Sequence, residues 1–171
     1  MKTNQNFGLL YFLLTICQVV LCNYSNLGPY IMLTLLPAMV LCIPTQVSTI
    51  ACMLIAFASG LATDWLSEGL LGLNAAALVP VALMRKSIIK IFLGEDLIVR
   101  GDRFSYKKNG FVKVSIAHMV CIAVFLGIYI ILDGAGTLPA LFCLTKAGVS
   151  LLCNFVLSII VTNILSPDDR K

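Results

Sequence analysis

The chain has 171 residues, of which 60% are hydrophobic and only 12% are charged, and its mean hydropathy is +0.99. Soluble domains average roughly 45–50% apolar and about 25% charged residues, so this composition leaves too little polar surface for a water-facing globule. It excludes a soluble enzyme, a nucleic-acid-binding module and a disordered chain. The net charge of +4 is small, and the placement of the charges is more informative than their sum.

Charge-free segments predict helices that cross a membrane. The 61 residues from 3 to 63 contain no Asp, Glu, Lys or Arg. As one helix they would extend about 90 Å, whereas a bilayer core is about 30 Å thick, so the stretch must fold back, most simply into three crossings. Further charge-free windows occupy 69–84, 114–132 and 147–167. Because backbone in lipid must satisfy its own hydrogen bonds, we predict an all-α integral membrane bundle of about six transmembrane helices.

Turn residues delimit these helices in chain order. The cluster from Asn23 to Pro29 ends the first span, Pro44 ends the second, and Asp64 ends the third. Pro139, a residue type favoured in the first turn of a helix, opens the last. The predicted spans of this single domain, 1–171, are 8–22, 30–43, 47–63, 69–93, 112–132 and 139–165.

Two of these spans have alternatives. The segment 30–43 is short for a crossing, and a re-entrant or interfacial segment is the other interpretation. The first span resembles the apolar part of a signal peptide. However, Lys2 is a weak basic region, and no small-residue cleavage pattern follows the apolar run, so we expect a retained helix at 8–22.

The basic residues predict the orientation. Eight of the twelve lie between 85 and 113, which predicts that this loop is cytoplasmic. Counting spans in both directions then places both termini in the cytoplasm, with Lys146 as the one basic residue that does not fit. The connecting loop, about 94–111, mixes both charge signs. It is either a solvated loop that sets topology or an interfacial segment that binds anionic lipid headgroups or a cytoplasmic partner.

No set of residues predicts catalysis, a cofactor or a metal site. The seven cysteines lie in or beside apolar spans without a CxxC pair, so we expect small buried side chains. The single histidine, His118, has no carboxylate in its own helix and is expected to be a hydrogen-bonded packing residue. No phosphate-binding glycine motif is present. The protein is therefore predicted not to be an enzyme.

The third and fourth spans carry the most informative pattern. Ala56 and Gly60 have the small-xxx-small spacing that lets helix backbones approach closely. Asp64 follows one turn later, and ionisable residues near membrane depth are costly and often functional. The alternative is that Asp64 merely marks the interfacial end of its helix. Gly72 and Asn74, with the alanines that follow, form a second close-packing face.

The small residues of this pattern permit two interpretations. They either form a surface for a partner helix or pack spans three and four against each other. The candidates for a partner interface are Ala56, Gly60, Ala75 and Ala76. For Asp64 we predict hydrogen bonds with the backbone near Gly72 or with Asn74 rather than metal binding.

The pattern Gly60-Leu-Ala-Thr-Asp64, followed by Leu71-Gly72-Leu73-Asn74-Ala75, resembles the MreD family of rod shape-determining membrane proteins. The likeness extends to chain length, span number and the basic loop before the last two helices. It implies a non-enzymatic scaffold in the bacterial cytoplasmic membrane, within the machinery that elongates peptidoglycan. His118, Lys146, Asn154 and Asn163 match no family motif, and no role is carried over to them.

The resemblance also implies partners. The first is a bitopic, MreC-like protein, bound through transmembrane helices. RodA-like wall synthases with their transpeptidase, and MreB-like filaments, are expected to be linked indirectly. Membrane lipids surround the chain, and no nucleic acid is involved. The family fold is similar to the substrate-binding membrane subunits of energy-coupling-factor vitamin transporters, which supply the alternative function.

Overall fold

The computed structural model describes residues 7–24, 31–68, 70–94, 106–134 and 139–165, and every regular element in these ranges is helical. The helices are α1 (Phe7–Tyr24), α2 (Leu36–Cys42), α3 (Thr49–Thr63), α4 (Leu73–Leu93), α5 (Tyr106–Asn109), α6 (Phe111–Gly134) and α7 (Ala140–Leu165). The all-α class is confirmed. Most of the predicted turn at 23–29 and of the loop at 94–111 lies outside the described residues.

Four helical segments are long and apolar enough to cross a membrane: Phe7–Tyr24, Thr49–Ser67, Phe111–Gly134 and Ala140–Leu165. The chain is therefore a multi-pass membrane protein. The helix α4 has 21 residues, enough to span a bilayer core, but it carries three basic residues in its second half.

Hydrogen bonds between α1 and α3 fix their relative direction. The Tyr11 hydroxyl lies 3.2 Å from the Ser59 hydroxyl, and the Asn23 side chain donates to the carbonyl of Leu66, in the π-helical turn Asp64–Glu68 that follows α3. Increasing residue number in α1 therefore matches increasing number in α3, so the two helices are parallel. The chain between them must return along the whole bundle, and the residues that do so include α2.

The remaining segments alternate in direction. Helices α3 and α4 are antiparallel because Gly60 lies against Ala75 across their junction. Helices α6 and α7 are antiparallel because His118 contacts Thr162 while Lys146 pairs with Asp133. The ends at Phe7 and Leu165 consequently lie on the same side, as the predicted topology requires. We call this side, which carries Lys90 and Lys113, the basic end; Asp64 and Asp133 mark the opposite, acidic end.

The prediction of a continuous helix through 30–43 is wrong in its first part. Residues 31–34 have no regular helical structure, and α2 occupies only Leu36–Cys42. Pro37 lies in the first turn of α2, where its ring is tolerated, but it would clash with the preceding carbonyls if the helix extended further back. Pro44 ends α2 because it disfavours helical geometry at Ile43, whose ψ is 137°.

The segment 31–43 occupies the centre of the bundle. All seven residues of α2 are buried, and it packs against α3, α4, α6 and α7. Met32 contacts Ser150 and Cys42 contacts Thr162, so the segment runs beside α7 over twelve helical residues, or about 18 Å. An interrupted span therefore fills the space that the longer helices enclose.

Candidate functional site

Asp64 caps the N-terminus of α4 from outside that helix. Its carboxylate is fully buried and accepts hydrogen bonds from the backbone N–H groups of Gly72, Asn74 and Ala75 at 2.9, 2.9 and 3.2 Å. The Asn74 side-chain amide donates a fourth bond at 2.9 Å. The predicted hydrogen bonds of Asp64 are thus present. A negative charge at these otherwise unpaired amides is favourable because the helix dipole is positive there.

The turn that presents Asp64 depends on two local features. The π-helical turn Asp64–Glu68 leads the chain out of α3, and Gly72 has a φ of +101° at the start of α4. Residues with a Cβ rarely adopt this left-handed conformation, which explains the glycine. Trp65, beside the cap, is 77% exposed, in keeping with an aromatic residue at a membrane interface.

Gly60 allows α3 to touch the backbone of α4. A Cβ at this position would lie 2.6 Å from the Cα of Ala75 and 2.7 Å from its nitrogen. Ala56 and Ala75 are likewise buried. Of the two interpretations of these small residues, the structure shows the packing of α3 against α4, which covers Ala56, Gly60 and Ala75. Of the four candidates, Ala76 alone is exposed.

A second polar site, which the sequence patterns did not predict, stabilises the extended residues that precede α2. On the α1 side, the Gln18 amide donates to the Leu33 carbonyl at 3.3 Å and accepts from the Leu35 N–H at 2.6 Å. Gln18 is buried on the same face of α1 as Tyr11 and Leu14. One side chain thereby pairs both backbone groups that face α1.

On the opposite side, α7 supplies the matching contacts. The Asn154 amide accepts from the Thr34 N–H at 2.7 Å and donates to the Met32 carbonyl at 2.9 Å. Ser150, one turn earlier, accepts from the Met32 N–H at 2.9 Å. The backbone groups of Met32 and Thr34 therefore face α7, whereas the Leu33 carbonyl and the Leu35 N–H face α1. This alternation of backbone groups is that of an extended chain. We call Gln18, Ser150 and Asn154 the polar clamp.

Arg85 stabilises the other end of the interrupted span. Its side chain is 1% exposed, and its guanidinium donates to the carbonyls of Leu41 and Ile43 at the C-terminus of α2. A cation is favourable there, because the last carbonyls of a helix lack partners and carry the negative end of its dipole. The prediction placed Arg85 at the start of a cytoplasmic loop; the structure instead buries it in α4, eight residues before that helix ends.

The other predicted polar residues lie in separate contacts. His118 is buried, and its Nε2 lies 2.8 Å from the Thr162 hydroxyl, as expected for a hydrogen-bonded packing residue. Lys146 forms an ion pair of 2.8 Å with Asp133 near the acidic end, with its ammonium 6.0 Å from the Tyr129 ring centroid. Asp133 thus explains how a lysine is accommodated on the side that has few basic residues.

Tyr106 closes the bundle beside His118. The short helix α5 precedes α6, and the Tyr106 ring stacks on the His118 ring with 6.1 Å between centroids. Burial raises the pKa of the Tyr106 hydroxyl above its ordinary value. This contact attaches the end of the 94–111 loop to the interior of the bundle.

None of the seven cysteines, all of which lie in the described ranges, forms a disulfide. In those ranges, no three His, Cys, Asp or Glu side chains are close enough together to hold a metal ion. A shallow crevice of about 290 Å³ lies beside the start of α7, lined by Pro139, Leu141, Phe142 and Thr145.

No family model, curated protein or solved structure matches this chain.

Proposed function

We propose that this protein is a non-enzymatic membrane scaffold that acts by contact with the transmembrane helix of a bitopic, MreC-like partner. The observation that supports this proposal best is the filled interior. The bundle centre, where a membrane protein would hold a ligand, is occupied by the interrupted span 31–43 and its buried side chains. The buried side chains of Gln18, Arg85 and Asn154, which could bind a ligand, instead pair with the protein's own backbone.

The protein would then act through the outer surfaces of its helices, which can contact a partner helix. Helices α1 and α7 expose large apolar side chains along their lengths, including Phe12, Ile16, Leu144 and Leu152. Helix association in lipid relies on close packing and interhelical hydrogen bonds rather than on the hydrophobic effect. A partner helix therefore requires an exposed, closely packing surface, and Ala76 is the predicted candidate that remains exposed.

The setting we propose is the peptidoglycan elongation machinery of a bacterial cytoplasmic membrane. The Gly60-Leu-Ala-Thr-Asp64 and Leu71-Gly72-Leu73-Asn74-Ala75 pattern supports it, since its residues form a defined unit in which Asp64 caps α4. RodA-like synthases, their transpeptidase and MreB-like filaments would be reached through the bitopic partner.

The alternative function, a substrate-binding subunit of a vitamin transporter, requires polar or aromatic groups that converge on an open pocket. The crevice beside Pro139 is lined mainly by apolar side chains, with Thr145 as its polar residue. Asp64 and Asn74 are committed to each other and to the start of α4. These observations favour the scaffold over the transporter subunit.

Affinity capture of two variants tests the proposal. Ala76→Leu should accumulate normally, because the residue is exposed, but should lose a co-purifying single-span protein with a periplasmic domain. Gly60→Leu should reduce the amount of protein itself, because its side chain would overlap the α4 backbone. If Ala76→Leu retains the partner at normal accumulation, the contact lies on another helix. Capture of an ATPase pair with a coupling subunit would favour the transporter instead.

A further inference from the structure

Four hydroxyl groups meet near the basic end of the bundle, where α5, α6 and α7 come together. They belong to Tyr106 on α5, Ser115 on α6, and Ser158 and Thr162 on α7. Burial raises the pKa of Tyr106, and the other three hydroxyls lie close enough to the phenol oxygen to lower it. The Tyr106 ring stacks on His118, which contacts Thr162. The phenol therefore lies between α6 and α7.

Two of these hydroxyls have partners and two do not. The Thr162 hydroxyl donates to the Ser158 carbonyl at 2.8 Å, and the Ser158 hydroxyl donates to the Phe155 carbonyl at 2.7 Å. Such a bond to the preceding turn is a common way to satisfy a hydroxyl inside a helix. The Ser115 hydroxyl, although it also lies in a helix, makes no such bond. Its oxygen and that of Tyr106 are both buried and have no hydrogen-bond partner in the part of the chain that the structure describes.

The chemistry of these groups indicates what binds between them. All four are uncharged, so they suit a small neutral ligand that both accepts and donates hydrogen bonds. Tyr106 and Ser115 can each donate one bond, and Ser158, whose own hydrogen is used within α7, can accept one. A buried water typically makes about three hydrogen bonds to polar groups that otherwise lack partners. Polar groups that face each other without bonding directly are often bridged in this way.

We propose that one ordered water molecule bridges the hydroxyls of Tyr106 and Ser115 and donates to Ser158, so that it joins α5, α6 and α7. The short helix α5 makes few other contacts with the bundle, apart from the ring of Tyr106 against His118 and Phe111. The water therefore holds the end of the 94–111 loop against α6 and α7. This site is independent of the partner helix proposed above.

Water-edited solid-state NMR of the full-length protein in lipid bilayers tests this site, because it measures how fast magnetisation passes from water to each residue. Ser115 should receive magnetisation faster than Val114. Val114 is the internal control, since it is 0% exposed and lies one residue nearer the basic end, so surface water reaches it at least as easily. Tyr106→Phe keeps the ring on His118 and removes only the hydroxyl. It should slow the transfer to Ser115 to the rate of Val114.

Unfolding in detergent gives an independent readout. Tyr106→Phe and Ser115→Ala should each lower the unfolding midpoint, and the double variant should lose less than the sum, because either change alone already breaks the bridge. Ser87→Ala, at an exposed serine, is the matched control and should leave the midpoint unchanged. Equal transfer to Ser115 and Val114 in the wild type would overturn the proposal, as would an unchanged Ser115 rate in Tyr106→Phe, or losses that simply add. A direct bond between the two hydroxyls would show the same coupling in unfolding, but no fast transfer from water.

Discussion

Replacement of Asp64 by alanine should strongly destabilise the bundle at the junction of α3 and α4. The substitution removes the acceptor of four hydrogen bonds, three of them from the first amides of α4. Each buried donor left unpaired costs about 1–3 kcal/mol. The lower bound of this range for each of the four donors gives a loss of about 4 kcal/mol. Proteins of this size are stable by only about 5–15 kcal/mol.

Asp64→Asn gives a sharper version of the same test. The asparagine carbonyl can still accept from Asn74. Its NH₂ group, however, would face the N–H groups of Gly72 and Ala75, which are donors themselves and would lose their acceptor. About half of the effect, or roughly 2 kcal/mol, is therefore expected. Asp133→Ala is the matched control. Its carboxylate is part-exposed and has one ion pair, so its loss should cost no more than about 1 kcal/mol.

Stability can be measured by SDS titration of the protein in detergent micelles, followed by far-UV circular dichroism. Trp65 is the only tryptophan and adjoins Asp64, so its fluorescence reports on the same junction. The cap explanation requires the order wild type, Asp133→Ala, Asp64→Asn, Asp64→Ala from most to least stable. It is wrong if Asp64→Ala lies within about 1 kcal/mol of Asp133→Ala, or if Asp64→Asn is as stable as wild type.

Three further predictions use the same unfolding assay. Gly60→Ala should lower the free energy of unfolding by about 1–3 kcal/mol, because the new methyl group would overlap the α4 backbone. Gly127→Ala is the control and should be neutral, because Gly127 has open space around it. Equal effects of the two variants would refute the close approach of α3 and α4. Asn154→Leu should lower the free energy of unfolding by about 2–4 kcal/mol, because two backbone groups lose their partners. Asn163→Leu, at an exposed position, should be tolerated. An Asn154→Leu protein as stable as wild type would refute the polar clamp. Arg85→Met should cost about 2 kcal/mol and increase hydrogen exchange in α2, since its last carbonyls lose their donors; unchanged exchange would contradict that role.

Charge-free runs and turn residues were sufficient to predict the all-α membrane class. Both are local features: a span needs about 20 apolar residues, and a proline or aspartate interrupts it. The Asp64 hydrogen bonds were also predictable, because Gly72 and Asn74 follow within ten residues across a single turn. Contacts between neighbours in sequence leave a readable pattern.

The polar clamp was not predictable in the same way. Its bonds join Gln18 to residues 15–17 positions away, and Asn154 to residues 120 and more positions away. No periodicity in the sequence marks such distant pairs. A signal was nevertheless present, because a buried amide in an apolar helix needs a partner, and Pro37 limits how far α2 can extend towards its N-terminus.

Arg85 shows a different limit of prediction from sequence. A basic residue near the end of a span is ordinarily assigned to the cytoplasmic loop, and the pair Arg85-Lys86 fits that rule by sequence alone. The structure separates the pair: Arg85 turns inward to α2, while Lys86 is only partly buried. Similarly, small residues at 56, 60 and 75 favour close helix contact, but sequence cannot distinguish an internal contact from one with another protein.

Site-specific photocrosslinking in living cells tests the proposed scaffold function most directly. A photoreactive residue would be placed at Ala76 and at Gly127, which are exposed, and at Ala56, which is buried. We predict a crosslink from at least one exposed position to a single-span protein with a periplasmic domain, and none from Ala56. If exposed positions along α1, α4, α6 and α7 all crosslink to lipid alone, or to an ATPase-linked coupling subunit, the scaffold proposal is contradicted.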